Sequence, residues 1–142
     1  MIEAKVIAEK ISLEKIKPIR ENLELGFDLK DKEFQMNIAQ SIKHNLERKS
    51  FKISLLVSFS CTEQVFAEYL YEFYFKVENI LDFLSEKDGR TAFTGQLLGT
   101  LIGLSYSTLR GILYSRLAET NLNGIILPVV NPNALLNSKI SE

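Results

Sequence analysis

The chain has 142 residues, 46% of them hydrophobic and 25% charged, which is enough apolar material for one globular domain over 1–142 without disulfide or metal staples. Its 17 Lys and Arg nearly balance 18 Asp and Glu to a formal net charge of −1, so no global field draws it to nucleic acid. The single cysteine, Cys61, excludes an internal disulfide framework and a cysteine-based zinc site, and suits a reducing compartment, with the cytoplasm the expected address.

The opening residues, MIEAKVIAEKISLEKIKPIR, are interrupted by charges throughout and contain no apolar run of the kind a secretory signal needs. Ile2, Val6, Ile11, Leu13 and Ile16 fit neither the helical nor the strand period; a strand is favoured over an amphipathic helix. Leu23, Leu25, Phe27 and Leu29 alternate with polar residues and predict a strand over 22–29, which Pro18 either limits or confines to an edge. From Phe34 to Leu46 the even positions are largely apolar and the odd ones polar, a second strand. Phe51, Ile53, Leu55, Val57, Phe59 and Cys61 define a third. Thr62, Glu63 and Gln64 then lead into a run in which Val65, Ala67, Tyr69, Tyr71, Phe73, Phe75 and Val77 form one face. Such short connections between long strands predict an antiparallel meander. The other face of that last strand carries Glu68 and Glu72 but also Phe66, Leu70 and Tyr74. Apolar residues there call for a cover, either another part of the chain or a partner.

Beyond Asp82 the period changes. Residues 85–90 read as a polar turn, and Leu97, Leu98, Leu101, Ile102, Leu109, Ile112, Leu113 and Leu117 recur at three and four, predicting one long helix over 92–119. Its uncharged run 91–109 has the length of a membrane span, but its hydroxyls, glutamine and glycines, with Arg110 directly after, fit a buried helix without stable membrane insertion. Gly95, Gly99 and Gly103 share a helix face where another backbone can approach, either a sister helix across an oligomer interface or the chain's own sheet. Arg110 is expected to be partly buried against a carboxylate. Asn133 is a candidate N-cap for a stub helix reaching Asn137.

Chemistry is sparse along this chain. His44 is the lone histidine and sits on the apolar phase of a strand; Cys61 has no neighbouring cation in the sequence; no phosphate loop, metal-ligand spacing or paired nucleophile and base is present. No catalytic residue, cofactor or metal is expected. Glu68 and Glu72 read as a solvated face or an acidic docking stripe.

Arg110-Gly111-Ile112-Leu113 in the helix, followed by Leu127-Pro128-Val129-Val130-Asn131-Pro132-Asn133-Ala134-Leu135-Leu136, resembles the SecB family of export chaperones, whose Pro-Val-Asn-x-x-Ala-Leu-Phe signature here carries one extra residue between Pro and Asn. The resemblance implies an α+β fold, a four-stranded or slightly larger antiparallel sheet followed by one long helix packed on one face, and a homo-oligomer, dimer or tetramer. It implies an ATP-independent chaperone that binds unfolded or pre-export polypeptides through apolar grooves. Such a chaperone would deliver its clients to a translocation motor or, in some SecB-like proteins, protect an antitoxin. On that basis Phe66, Leu70 and Tyr74 are the client-binding candidates, Leu70 and Glu72 the motor-docking pair, and Gly95, Gly99 and Gly103 the oligomer interface. The family's acidic tail is nearly absent after Leu136, which leaves a dedicated client as open as general export. A hotdog-type thioesterase, whose long helix comes early rather than after the strands, and a non-enzymatic structural subunit are the alternatives from other classes.

Overall fold

The computed structural model describes residues 5–24, 33–87 and 90–140. Four long strands, β1 (Ile11–Leu23), β2 (Gln35–Asn45), β3 (Ser50–Cys61) and β4 (Gln64–Val77), form one antiparallel sheet in the order β1-β4-β3-β2. A short hairpin, β5 (Leu84–Lys87) and β6 (Arg90–Phe93), leads into α1 (Gly95–Arg116), and a one-turn helix, α2 (Pro132–Leu135), lies near the end. This is an α+β fold with a single long helix on one face of the sheet.

The meander β2-β3-β4 follows from its alternation and its turns. Thr62 and Glu63 both adopt left-handed backbone, φ 47° and 66°, which is the twist a two-residue hairpin needs although neither is glycine. The inner face carries Ile53, Leu55, Val57 and Phe59 of β3 beside Tyr71, Phe73 and Phe75 of β4, all essentially fully buried. Leu97, Leu101, Ile102, Leu109 and Leu113 of α1 complete this core at helical spacing, with Phe83, Leu122 and Leu127 closing its ends.

Several expectations are corrected. The strand favoured for the opening residues is β1, whereas the further strand expected over 22–29 is not a separate element in its described part, since Asn22 and Leu23 end β1 and residues 25–29 fall outside the described residues. Pro18 sits inside β1 and is tolerated because β1 is an edge strand, as its proline allowed. The polar turn at 85–90 is the β5-β6 hairpin. The helix is shorter than 92–119: the Thr94 hydroxyl accepts from the Leu97 amide at 3.4 Å and starts it at Gly95, and regular helix ends at Arg116. Asn131, not Asn133, caps α2, its side chain accepting from the Asn133 amide at 2.9 Å with Pro132 next in line as the first helical residue. No described helix is long and apolar enough to cross a membrane.

Candidate functional site

Two surfaces of this scaffold carry the candidate residues and grooves: the edge of β2 and the outer face of the sheet.

At the β2 edge, Gln40 has its side chain on the core face while its backbone N–H and C=O point away from β3. The chain's own C-terminal segment already occupies that position in parallel. Gln40 N–H donates to the Ser138 carbonyl and the Ile140 amide donates to the Gln40 carbonyl, each at 2.8 Å. The Gln40 side-chain amide, 3% exposed, donates to the Leu136 carbonyl at 3.0 Å and holds the segment from below. Antiparallel pairing alternates inward- and outward-pointing backbone groups, so Ile42 and His44 present theirs outward as well. Beside this edge opens a groove of about 640 Å³, its apolar wall formed by Ile42, Phe93, Leu98, Leu136 and Ile140. His44 sits at its rim, edge-on to Phe93 with ring centroids 4.9 Å apart, so the lone histidine packs against an aromatic ring. An extended segment lying here meets backbone donors and acceptors along one side and an apolar trough along the other, the arrangement of strand addition.

On the outer face, register puts Ala39, Leu56 and Leu70 side by side across β2, β3 and β4, with Arg20 of β1 next to Leu70. Leu70, Glu72 and Tyr74 lie on this face and are half-buried; Phe66 does not join them. The pairing of β3 with β4 slips by one residue after Phe59, which pairs with Ala67 while Ser60 pairs with Val65. Phe66 is the extra residue of that bulge and turns to the core side, 3% exposed, against Phe59 and Phe34 with ring centroids 6.3 and 6.2 Å away. Glu72 is already paired, its carboxylate 3.2 Å from Lys52 and accepting the Tyr74 hydroxyl at 2.7 Å. Burial alone would raise its pKa, but the bonds from Tyr74 and Lys52 and the charges of Lys52 and Lys17 outweigh it and hold the carboxyl below its usual range. Glu68 pairs with Arg20 at 3.0 Å.

The glycines of α1 divide. A Cβ on Gly99 would stand 2.7 Å from the Asn133 side-chain oxygen and one on Gly103 would stand 3.3 Å from the Pro132 ring, whereas Gly95 meets nothing within 4 Å. The close approach that Gly99 and Gly103 permit is made by the chain's own α2, not by its sheet. Among the described residues Arg110 pairs with no carboxylate; its Nε donates to the Leu127 carbonyl at 3.0 Å, and the Tyr106 hydroxyl donates to the Pro128 carbonyl at 2.6 Å. These two bonds fasten the segment after α1 across the helix.

The arrangement of a four-stranded antiparallel sheet and a following helix recurs in a solved structure, the Mycobacterium tuberculosis Rv1957 SecB-like chaperone in complex with a ChAD peptide from the Rv1956 HigA1 antitoxin. It aligns with a TM-score of 0.59 over 87% of this chain and 89% of that one, at 10% sequence identity. The fold is SecB-like. No protein-family model and no curated protein sequence matches the chain. The SecB-like resemblance therefore rests on architecture. The β2 edge was not readable as a site, because its occupant, the segment 138–140, lies almost a hundred residues away; only the apolar phase of β2 and its position next to the end of the meander hinted at it.

Proposed function

We propose that this protein is a non-enzymatic, ATP-independent chaperone that binds extended polypeptide segments at the β2 edge. The observation that carries the reading is the parallel pairing of residues 138–140 with Gln40 beside the apolar groove: the edge accepts an extended backbone and the groove accepts its apolar side chains. A SecB-like fold supports it at the level of architecture, and the sequence contains no phosphate loop that would couple binding to nucleotide hydrolysis. A dedicated client such as an antitoxin segment is the narrower form of this reading, supported by the antitoxin-derived peptide in the neighbouring structure. General export is less supported, since the Glu72 carboxylate offered to a motor is already held by Lys52 and Tyr74. Phe66 is withdrawn as a client contact, and Leu70 and Tyr74 remain candidates on the opposite face. Assembly as a homo-oligomer is proposed through the outward face of α1, where Leu104 and Tyr114 are about half exposed, at 47% and 53%.

The test is suppression of aggregation of a chemically unfolded protein without nucleotide, with native mass measured alongside. Ile140→Pro removes the amide that pairs with Gln40 and should strengthen client binding by unseating the tail. No suppression by either protein at stoichiometric excess overturns the reading, and a single 16.2 kDa species at micromolar concentration overturns the oligomer.

A further inference from the structure

The outer face of the sheet carries far more positive charge than the chain's overall balance suggests. Among the described residues, register places Lys15, Lys17 and Arg20 of β1, Lys43 of β2, Lys52 of β3 and Lys76 of β4 on it, against Glu68 and Glu72, with Glu14 at the β1 irregularity accepting from the outward Ser12 hydroxyl. Lys52 and Arg20 are paired with those two glutamates, and the Lys15 ammonium lies 5.5 Å from the Tyr74 ring centre. Lys17, Lys43 and Lys76 enter no ion pair among the described residues. Lys43 stands directly opposite Lys52 across β2 and β3, a like-charge cross-strand pair that costs the free protein stability.

The β1 cations are also regularly spaced. Lys15, Lys17 and Arg20 face Tyr74, Glu72 and Leu70, which are successive outward positions of β4, because an irregularity between Pro18 and Arg20 absorbs Ile19 and keeps Arg20 in step. They form a ladder at the two-residue repeat of a strand, about 6.6 Å per step.

We propose that this outer face is a second interaction surface, distinct from the β2 edge, for an extended acidic polypeptide segment that presents a carboxylate at every second position along the Lys15, Lys17 and Arg20 ladder. Such a segment supplies the charge the face lacks and is in register with its cations. The row of Leu70, Leu56 and Ala39 runs across the strands from Arg20, at right angles to the ladder, so Leu70 alone of the three borders a segment that follows β1. A second copy of this chain does not fit, since the same cations would meet across a two-fold axis. Nucleic acid fits less well: the face has one aromatic ring, Tyr74, which Lys15 already covers, and its centre is aliphatic.

The inference goes beyond the chaperone reading and is tested apart from it. The probe is a short fluorescent peptide of alternating glutamate and threonine. Its counterparts are the same composition with the glutamates in one block, the peptide with lysine for glutamate, and an oligothymidylate, all measured by polarisation at low salt. The alternating acidic peptide should bind the full-length protein best. Lys17→Glu and Lys43→Glu, both at exposed positions, should each weaken it at least about threefold and together about tenfold, although the first sets a glutamate against Glu72 and lowers the melting temperature while the second relieves the Lys43–Lys52 repulsion and raises it. Arg116→Glu, an equal charge change on the helix, and Ile140→Pro at the groove should leave it unaltered. Equal binding of the lysine peptide, tighter binding of the oligothymidylate, indifference to the order of the glutamates, or insensitivity to Lys17→Glu and Lys43→Glu each overturns the proposal.

Discussion

Gln40 and Leu136, on the sheet edge and just past α2, are joined by a hydrogen bond of 3.0 Å from the Gln40 side-chain amide to the Leu136 carbonyl, in surroundings that leave Gln40 3% exposed. The same residue uses its backbone N–H and C=O to hold residues 138 and 140, so the side chain and backbone of one residue anchor the segment 136–140. Gln40→Leu keeps the bulk and removes the amide, and should cost about 1 kcal/mol. The sharper readout is local: exchange of the Ile140 amide should accelerate well beyond the change in global stability. Equal protection in both proteins would show that the side chain does not hold the segment.

Tyr106→Phe should destabilise by about 1 kcal/mol, because the Pro128 carbonyl loses its donor next to a buried ring. Arg110→Met should act on the same segment by freeing the Leu127 carbonyl. Because the two bonds fasten adjacent carbonyls, the double variant should fall short of the sum of the singles in denaturant unfolding.

The glycines of α1 should respond differently to alanine. Gly111 has open space around its missing Cβ, so Gly111→Ala should stabilise by about 0.5–1 kcal/mol through helix propensity. Gly103→Ala meets the Pro132 ring and should gain less or lose. Gly99→Ala requires the Asn133 side chain to swing aside and should come out near neutral, whereas Gly99→Leu should displace α2 outright. Thermal unfolding of the four proteins checks the order.

At alkaline pH, Tyr71 should be the last of the buried tyrosines to ionise. Burial first, then its hydrogen bond to the Glu21 carboxylate and that group's charge, push its phenol up to about 12. The folded state therefore holds the proton more tightly than the unfolded chain, and the stabilisation is complete below pH ~10 and is lost as pH rises toward 12. Glu21→Gln should lower this pKa while leaving it above the free value, since burial remains. Absorbance titration of the phenolate follows both.

The meander was legible because β2, β3 and β4 bury one face against the helix and leave the other to solvent, so their alternation survives into the sequence. For β1 a strand was favoured over a helix, but its bounds and its phase were not legible, and the reason is geometric. Irregularities between Leu13 and Lys15 and between Pro18 and Arg20 each insert a residue, so Leu13, Ile16 and Pro18 share the core-facing side at spacings of three and two. No single period describes that strand. The same physics misplaced Phe66, which a bulge rotates out of the face that Leu70 and Tyr74 share. The partners of Arg110 and of Gly99 could not be read at all, because both depend on where the chain returns after α1, a path set by tertiary packing. The long helix and its core-facing leucines were plain; its ends were set by the Thr94 cap and by a hairpin too short and polar to register as strands.

The kinks and the proline of β1 also decide in which direction this sheet is able to grow. A strand that is twice interrupted and lacks one backbone donor at Pro18 is a poor template for a neighbour, so the β1 side behaves as a terminus. The β2 side has no such defect over residues 36–45, and among the described residues it is occupied over a short stretch by residues 138–140. The sheet thus has a polarity of extension: one margin closed by its own irregularity, the other regular and bridged by residues 138–140 at Gln40.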